Sequence, residues 1–291
     1  MSAYENRYWQ SDDGIRLHCR DYAGRADRPP ILCLPGLTRN ARDFANVAAR
    51  LAGEWRVICV DFRGRGESGY AKDPMTYVPP AYVRDIEGLL ADLGCERFVA
   101  FGTSMGGLVT MLLAAAAPSR IAGALLNDVG PEIEAAGLSR IRGYVGRAHS
   151  WPTWLHAARG LQEANADVYP HYETEDWLGM AKRLYRITAA GRIVLDYDMN
   201  IAEPFRVADD APAPDLWPLF EALRPAPVLI VRGGRSDVLS GATAEGMRTT
   251  LDHAELVTIA DVGHTPTLTE PAAAAAIDRL LDRVAREPAR A

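Results

Sequence analysis

The 291-residue chain carries 32 lysines and arginines against 38 aspartates and glutamates, a formal net charge of −6. That balance offers no cationic surface for nucleic acid, and 48% hydrophobic with 24% charged residues excludes a disordered chain or a fibrous repeat. The length suits one large domain, or one domain carrying a sizeable insertion.

From the N-terminus, Met1 to Asp13 holds Glu5, Asp12 and Asp13 and no apolar core segment, so no secretory signal is read and a cytoplasmic protein is expected. Ile15 to Arg20 alternates apolar and polar residues as a half-exposed strand does, with His18 on its solvated side. Ile31–Leu34 and Val57–Val60 are short apolar runs suited to strands buried on both faces. They carry Cys33 and Cys59, read with Cys19 and Cys95 as free thiols, because no pair spacing of the zinc or redox kind occurs. Helical spacing follows each run: Phe44, Val47, Ala48, Leu51, and then Val83, Ile86, Leu89, Leu90, Leu93.

From Phe98 to Ser119 there are 22 residues without a charge, long enough for a membrane span by length alone. Gly102 and the Gly106-Gly107 pair break it into strand, turn and helix instead. Ala122 to Asn127 is a further strand. Strand signals then vanish from Pro131 to about Ala222, where helical spacings recur (Leu138, Ile141, Val145; Leu178, Leu184, Ile187) and four of the six tryptophans lie. Strands resume at Val228–Val231 and Glu255–Ile259, and Pro271 opens a last helix. Strands alternating with helices predict an α/β fold with a largely parallel sheet, and the insertion reads as a helical cap over its carboxyl edge. The expected units are a core of residues 1–130 and 223–291 and a cap of 131–222.

Gly102-Thr103-Ser104-Met105-Gly106 fits G-x-S-x-G between an apolar strand and an apolar helix. A sharp turn there lifts the serine above the sheet, and side chains two residues to either side would collide, which explains both glycines. The free N–H groups of the following helix point at developing negative charge. Serine is a weak nucleophile at neutral pH and needs a base, itself oriented by a carboxylate.

On these residues the chain resembles the α/β-hydrolase superfamily nearly end to end, which implies an eight-stranded, mostly parallel sheet. Leu34-Pro35-Gly36-Leu37 is similar to the loop after the family's third strand, with Pro35 where a histidine is common. Asp61 to Ser68 is similar to its D-x-R-G-x-G-x-S turn, which reads as architectural, with Arg63 as an outside candidate for the pocket. The likeness is to bacterial esterases and to enol-lactone or carbon–carbon bond hydrolases with a helical cap. Asn127 to Pro131 and Asp196 to Met199 look like features of a proteobacterial subgroup for which the resemblance fixes no substrate.

The resemblance implies His264, in the loop after the last strand, as the base; His149, His156 and His171 belong to the lid, and His253 to the opposite sheet edge. Asp237 follows the strand ending at Val231, keeps the chain order Ser, Asp, His, and is the first choice of acid. Asp128 is the alternative, and Asp261 reads as a turn residue. On this assignment Asp237→Asn should cut turnover by orders of magnitude and Asp128→Asn should not. The backbone N–H groups of Leu37 and Met105 are implied as the oxyanion hole.

The resulting expectation is a cofactor-free and metal-free serine hydrolase with a small-molecule substrate, as a monomer or homodimer without nucleic-acid or membrane partners. Trp151, Trp154 and Trp177 are candidate pocket residues for an apolar or aromatic group. Thr265 after the base, where carbon–carbon hydrolases carry tryptophan, favours esters or lactones. Carbon–carbon cleavage, perhydrolysis and a turnover-poor ligand receptor are the rivals; epoxide hydrolases and dehalogenases place an aspartate where this chain has Ser104. Lid charges between residues 131 and 190 balance at seven basic and seven acidic, leaving the substrate's charge open.

Overall fold

Fully apolar runs of four to seven residues become the middle of a sheet. The computed structural model describes residues 3–206 and 214–286. Its strands are β1 (Glu5–Gln10), β2 (Arg16–Tyr22), β3 (Ile31–Leu34), β4 (Val57–Asp61), β5 (Phe98–Thr103), β6 (Ile121–Asn127), β7 (Ser150–Trp151), β8 (Tyr185–Ile187), β9 (Ile193–Leu195), β10 (Val228–Gly233) and β11 (Glu255–Ile259). Its α-helices are α1 (Ala45–Leu51), α2 (Pro79–Asp92), α3 (Met105–Ala116), α4 (Ala135–Tyr144), α5 (Trp154–Asn165), α6 (Thr174–Leu184), α7 (Glu203–Arg206), α8 (Trp217–Glu221), α9 (Gly241–Thr250) and α10 (Pro271–Arg286).

Eight strands form one sheet in the order β1-β2-β4-β3-β5-β6-β10-β11, in which β2 alone runs against the rest. Side chains along the central strands enter opposite faces in turn. Leu32, Ile58, Val60 and Ala100 meet α2 and α3 through Ile86, Leu89 and Val109. Ile31, Cys33, Val57, Val99 and Phe101 meet α1 and α10 through Val47, Leu51, Ile277 and Leu281. Both faces are covered, so these strands show no alternation in sequence. Each valine, leucine, isoleucine or phenylalanine among them stabilises the fold by roughly 1.5–3 kcal/mol relative to exposure.

The uncharged run is β5, a turn and α3, as read from its glycines. No helix among the described residues is long and apolar enough to cross a membrane. All four cysteines are free and buried. His18 departs from expectation: it is wholly buried under β1, its Nδ1 2.6 Å from Asp61 Oδ2 and its Nε2 2.9 Å from Asn6 Oδ1. The added edge strand β1, which its polar sequence hides, brings Asn6 and Tyr8 against His18. Asp61 at the end of β4 and Ser68 in the turn after it meet His18 as well, so this part of β2 is not presented to water.

The chain between β6 and β10 is not wholly helical. It holds a three-stranded antiparallel sheet, β7-β9-β8, whose strands of two or three residues are too short to register as periodicity. Residues 207–213 of this stretch lie outside the described residues. α5, α6 and the small sheet enclose a separate core of Ala157, Leu161, Trp177, Met180 and Ile193. α8 instead packs on α3, with Phe220 in the core of the main sheet. Polar ties fasten the insertion to the sheet's carboxyl edge: Arg42 to Asp196 at 2.6 Å, the Tyr77 hydroxyl to Asp198 at 2.6 Å, and the Asn40 amide to the Arg183 carbonyl at 3.0 Å.

Candidate active site

Ser104 occupies the one-residue link between β5 and α3 with φ 51° and ψ −118°, a left-handed backbone that non-glycine residues adopt only under constraint. The constraint comes from packing. A Cβ on Gly102 would lie 2.5 Å from the Gly106 carbonyl oxygen, and one on Gly106 would lie 2.0 Å from the Leu34 oxygen. Only glycines let strand, helix and the β3 loop approach this closely. The Ser104 N–H donates to the Asn127 carbonyl at 2.9 Å, which pins the turn to the end of β6.

His264 lies in the loop after β11, its Nε2 2.9 Å from Ser104 Oγ. Its Nδ1 is 2.7 Å from Oδ2 of Asp128. A carboxylate only accepts, so the imidazole proton belongs on Nδ1 and Nε2 is left to accept from the serine hydroxyl. The His264 side chain is 8% exposed and that of Asp128 is fully buried.

Asp128 directly follows β6 with φ 58°, and its N–H donates to the Val231 carbonyl at 2.7 Å. Burying a carboxylate costs several kcal/mol unless its lone pairs are used. Here they are: Oδ1 accepts from the Gly233 N–H at 2.8 Å, and Oδ2 accepts from the Ser236 hydroxyl at 2.6 Å as well as from His264. Ser236 is itself held, its oxygen accepting from the Val238 and Leu239 amides at 3.1 Å each.

The acid expected at Asp237 is therefore not the one that meets His264. The Asp237 carboxylate turns away to Arg140 of α4, with contacts of 2.5 and 2.7 Å. The Arg140 guanidinium hydrogen-bonded to it holds the Asp237 carboxyl below the usual carboxylate range. Its side chain is a third exposed, at 33%. Asp261 is a turn residue as read, with φ 59° and an ion pair to Arg235. Arg63 is buried between Asp85 and Asp13 and serves the architecture.

Ser104 and His264 open into a cavity of about 620 Å³ under the insertion, walled by Leu37, Arg39, Tyr144, Trp151, Tyr185 and Tyr197 among others. Burial pushes the Tyr197 phenol up to about 12. Of the three tryptophans, Trp151 reaches this cavity. Trp177 is locked in the core of the insertion, 1% exposed against Tyr169 and Tyr172, and Trp154 packs against the same core. The tyrosines that do line the cavity carried no periodic signal that set them apart. Leu37 lies beside Ser104 in the cavity wall, and Met105 is the first residue of α3, where helical N–H groups have no partner within the helix. The insertion also touches the base loop: the Gly263 N–H donates to the Val168 carbonyl at 2.9 Å, and the Tyr169 hydroxyl to the Thr265 carbonyl at 2.7 Å.

A serine on a strained strand-to-helix turn above a mostly parallel eight-stranded sheet, bonded to a histidine from the last strand's loop, points to a class of enzymes. The chain belongs to the alpha/beta hydrolase family, whose model matches residues 31–277. It is 37% identical over 264 residues to the 3-hydroxybutyrate-oligomer hydrolase of Cupriavidus necator, covering 88% of this chain and 89% of that protein. It is 26% identical over 228 residues to the 2-(acetamidomethylene)succinate hydrolase of Mesorhizobium japonicum, covering 78% and 77%. The crystal structure of an alpha/beta hydrolase from Novosphingobium aromaticivorans superposes with a TM-score of 0.93 at 59% identity, covering 97% of this chain and 99% of that one.

Proposed function

We propose that this hydrolase cleaves a carboxylic ester through an acyl-enzyme on Ser104, with His264 as base and Asp128 as the acid that orients it. The observation that carries the reading is the unbroken series Ser104 Oγ, His264 Nε2, His264 Nδ1, Asp128 Oδ2, joined at 2.9 and 2.7 Å and open to a cavity at the serine end. Ser104 Oγ bonds to the carbonyl carbon as its proton passes to Nε2, and buried Asp128 stabilises the imidazolium. The carbonyl oxygen becomes an oxyanion held by the Leu37 and Met105 amides, a pair in which each donor is worth roughly 2.7–4 kcal/mol in the transition state. The C–O bond then breaks, the leaving alkoxide takes the proton from Nε2, and water repeats the sequence to release the acid and restore Ser104.

The relative that acts on 3-hydroxybutyrate oligomers favours short linear esters of hydroxy acids as the substrate class. A wall of mixed character, with Tyr144, Tyr185 and Tyr197 beside Leu37, Ile141 and Leu195 and with Arg39, Arg140 and Arg147 in it, supports an ester that carries both apolar and polar groups.

Labelling with a fluorophosphonate probe tests the chemistry. The expected result is one adduct on the wild type that Ser104→Ala abolishes; a folded wild type that takes no label overturns the reading. Release of monomer from a 3-hydroxybutyrate trimer, compared with p-nitrophenyl butyrate and a lactone panel, tests the substrate class. Turnover of lactones in preference to the trimer would contradict it.

A further inference from the structure

Arg65 is fully buried, yet among the described residues it has no carboxylate partner. Its guanidinium is met by backbone and rings instead. Nε–H donates to the Leu37 carbonyl at 2.9 Å, and Nη1–H to the Arg63 carbonyl at 2.7 Å and the Tyr82 hydroxyl at 3.1 Å. The charge also faces the rings of Tyr77 and Tyr82, 5.5 and 5.1 Å from their centroids, while Nη2 has no hydrogen-bond partner. A buried cation without a counter-ion is costly to keep for stability alone.

What it holds is the loop at the nucleophile. Leu34-Pro35-Gly36-Leu37 has no polar side chain with which to anchor itself. Leu37 sits there in the cavity wall with Ser104, and a Cβ built on neighbouring Gly36 would lie 3.7 Å from Ser104 Cβ. The turn that carries Arg65 is clamped in its own right. Arg65 pairs with Tyr197 as an antiparallel bridge, the Gly66 N–H donates to the Asp196 carbonyl at 3.1 Å, and the Asp198 N–H donates to the Gly64 carbonyl at 2.7 Å. Asp196-Tyr197-Asp198 thus seats the insertion on the turn from which Arg65 reaches the Leu37 loop.

We propose that Arg65 is a positioning residue for the reaction: by holding the Leu37 carbonyl it fixes the backbone of Leu37, and with it the preceding Gly36–Leu37 peptide whose N–H meets the oxyanion. This rests on the serine-hydrolase reading above. The buried charge adds a field that favours the same negative oxygen.

The test uses the full chain, p-nitrophenyl butyrate as reporter ester and butylboronic acid, whose tetrahedral serine adduct mimics the intermediate. Arg65→Met should lower kcat about tenfold to a hundredfold with KM little changed, the scale of a misplaced donor. The inhibition constant for butylboronic acid should rise by a similar factor. Arg65→Lys, which keeps a charge and a donor but not the fork, should recover part of both. A folded Arg65→Met with wild-type kcat and boronate affinity overturns the proposal, as does a change confined to melting temperature or KM. If Arg65→Met does not fold, Arg65→Lys carries the test alone: a kcat loss at constant KM supports the role, and wild-type values overturn it. A wild type that neither binds the boronate nor takes the fluorophosphonate brings down the hydrolase reading and the role of Arg65 with it. A wild type that does both isolates a failure to Arg65.

Discussion

Two aspartates stand at the carboxyl ends of neighbouring parallel strands, Asp128 after β6 and Asp237 in the loop after β10, and their surroundings could hardly differ more. Asp128 is sealed from water and surrounded by three donors, of which one is the imidazole that faces Ser104. Asp237 is partly exposed and spends its charge on Arg140 of α4. The β10 loop still serves the base, through its serine: Ser236 donates to the same Asp128 oxygen that His264 uses. One strand end supplies the carboxylate and the next supplies its support. The buried carboxylate that meets His264 is also the one whose remaining lone pairs are satisfied by donors.

The largest effect expected from breaking this contrast is at Asp128. Asp128→Asn should lower kcat by about 10⁴-fold, because an amide in that place favours the wrong imidazole tautomer. Ser236→Ala comes next. Loss of one hydrogen bond to a charged acceptor is worth about 1.5–3 kcal/mol, so kcat should fall by roughly tenfold to a hundredfold. The smallest effects belong to Asp237. Asp237→Asn should change kcat less than about threefold and stability by less than about 1 kcal/mol, as partly exposed ion pairs do. Steady-state kinetics and urea unfolding check all three.

That pair also has a pH signature. The Asp237 carboxyl is held below its unfolded value by Arg140, so its contribution to stability is present above the unfolded value and is lost as pH falls through the lowered one. The stability gap between wild type and Asp237→Asn should therefore be flat around neutrality and close in the acid range. A gap that widened on acidification would contradict the assignment.

The sheet, the turn at Ser104 and the placing of His264 against it were legible because each leaves a local mark. Buried parallel strands read as apolar runs, Gly102 and Gly106 flank the serine, and His264 sits past the last strand. The acid left no such mark. Asp128 and Asp237 both lie between Ser104 and His264 in the chain, so order alone could not choose between them. The choice is made by Arg140, 97 residues from Asp237, and by the Gly233 amide 105 residues from Asp128. Trp154 and Trp177 misled for the opposite reason, while Trp151 does reach the cavity. A large ring at helical spacing serves a core as well as a pocket, and only the fold of α5 and α6 assigns Trp177 to the core.

The partner of the His264 imidazole can be observed directly. A proton shared between His264 Nδ1 and a buried carboxylate gives a far-downfield proton NMR signal in water. The account predicts that signal in the wild type and undiminished in Asp237→Asn, and its loss in a folded Asp128→Asn. Its persistence in Asp128→Asn with disappearance in Asp237→Asn would return the acid to the β10 loop and contradict the site as described.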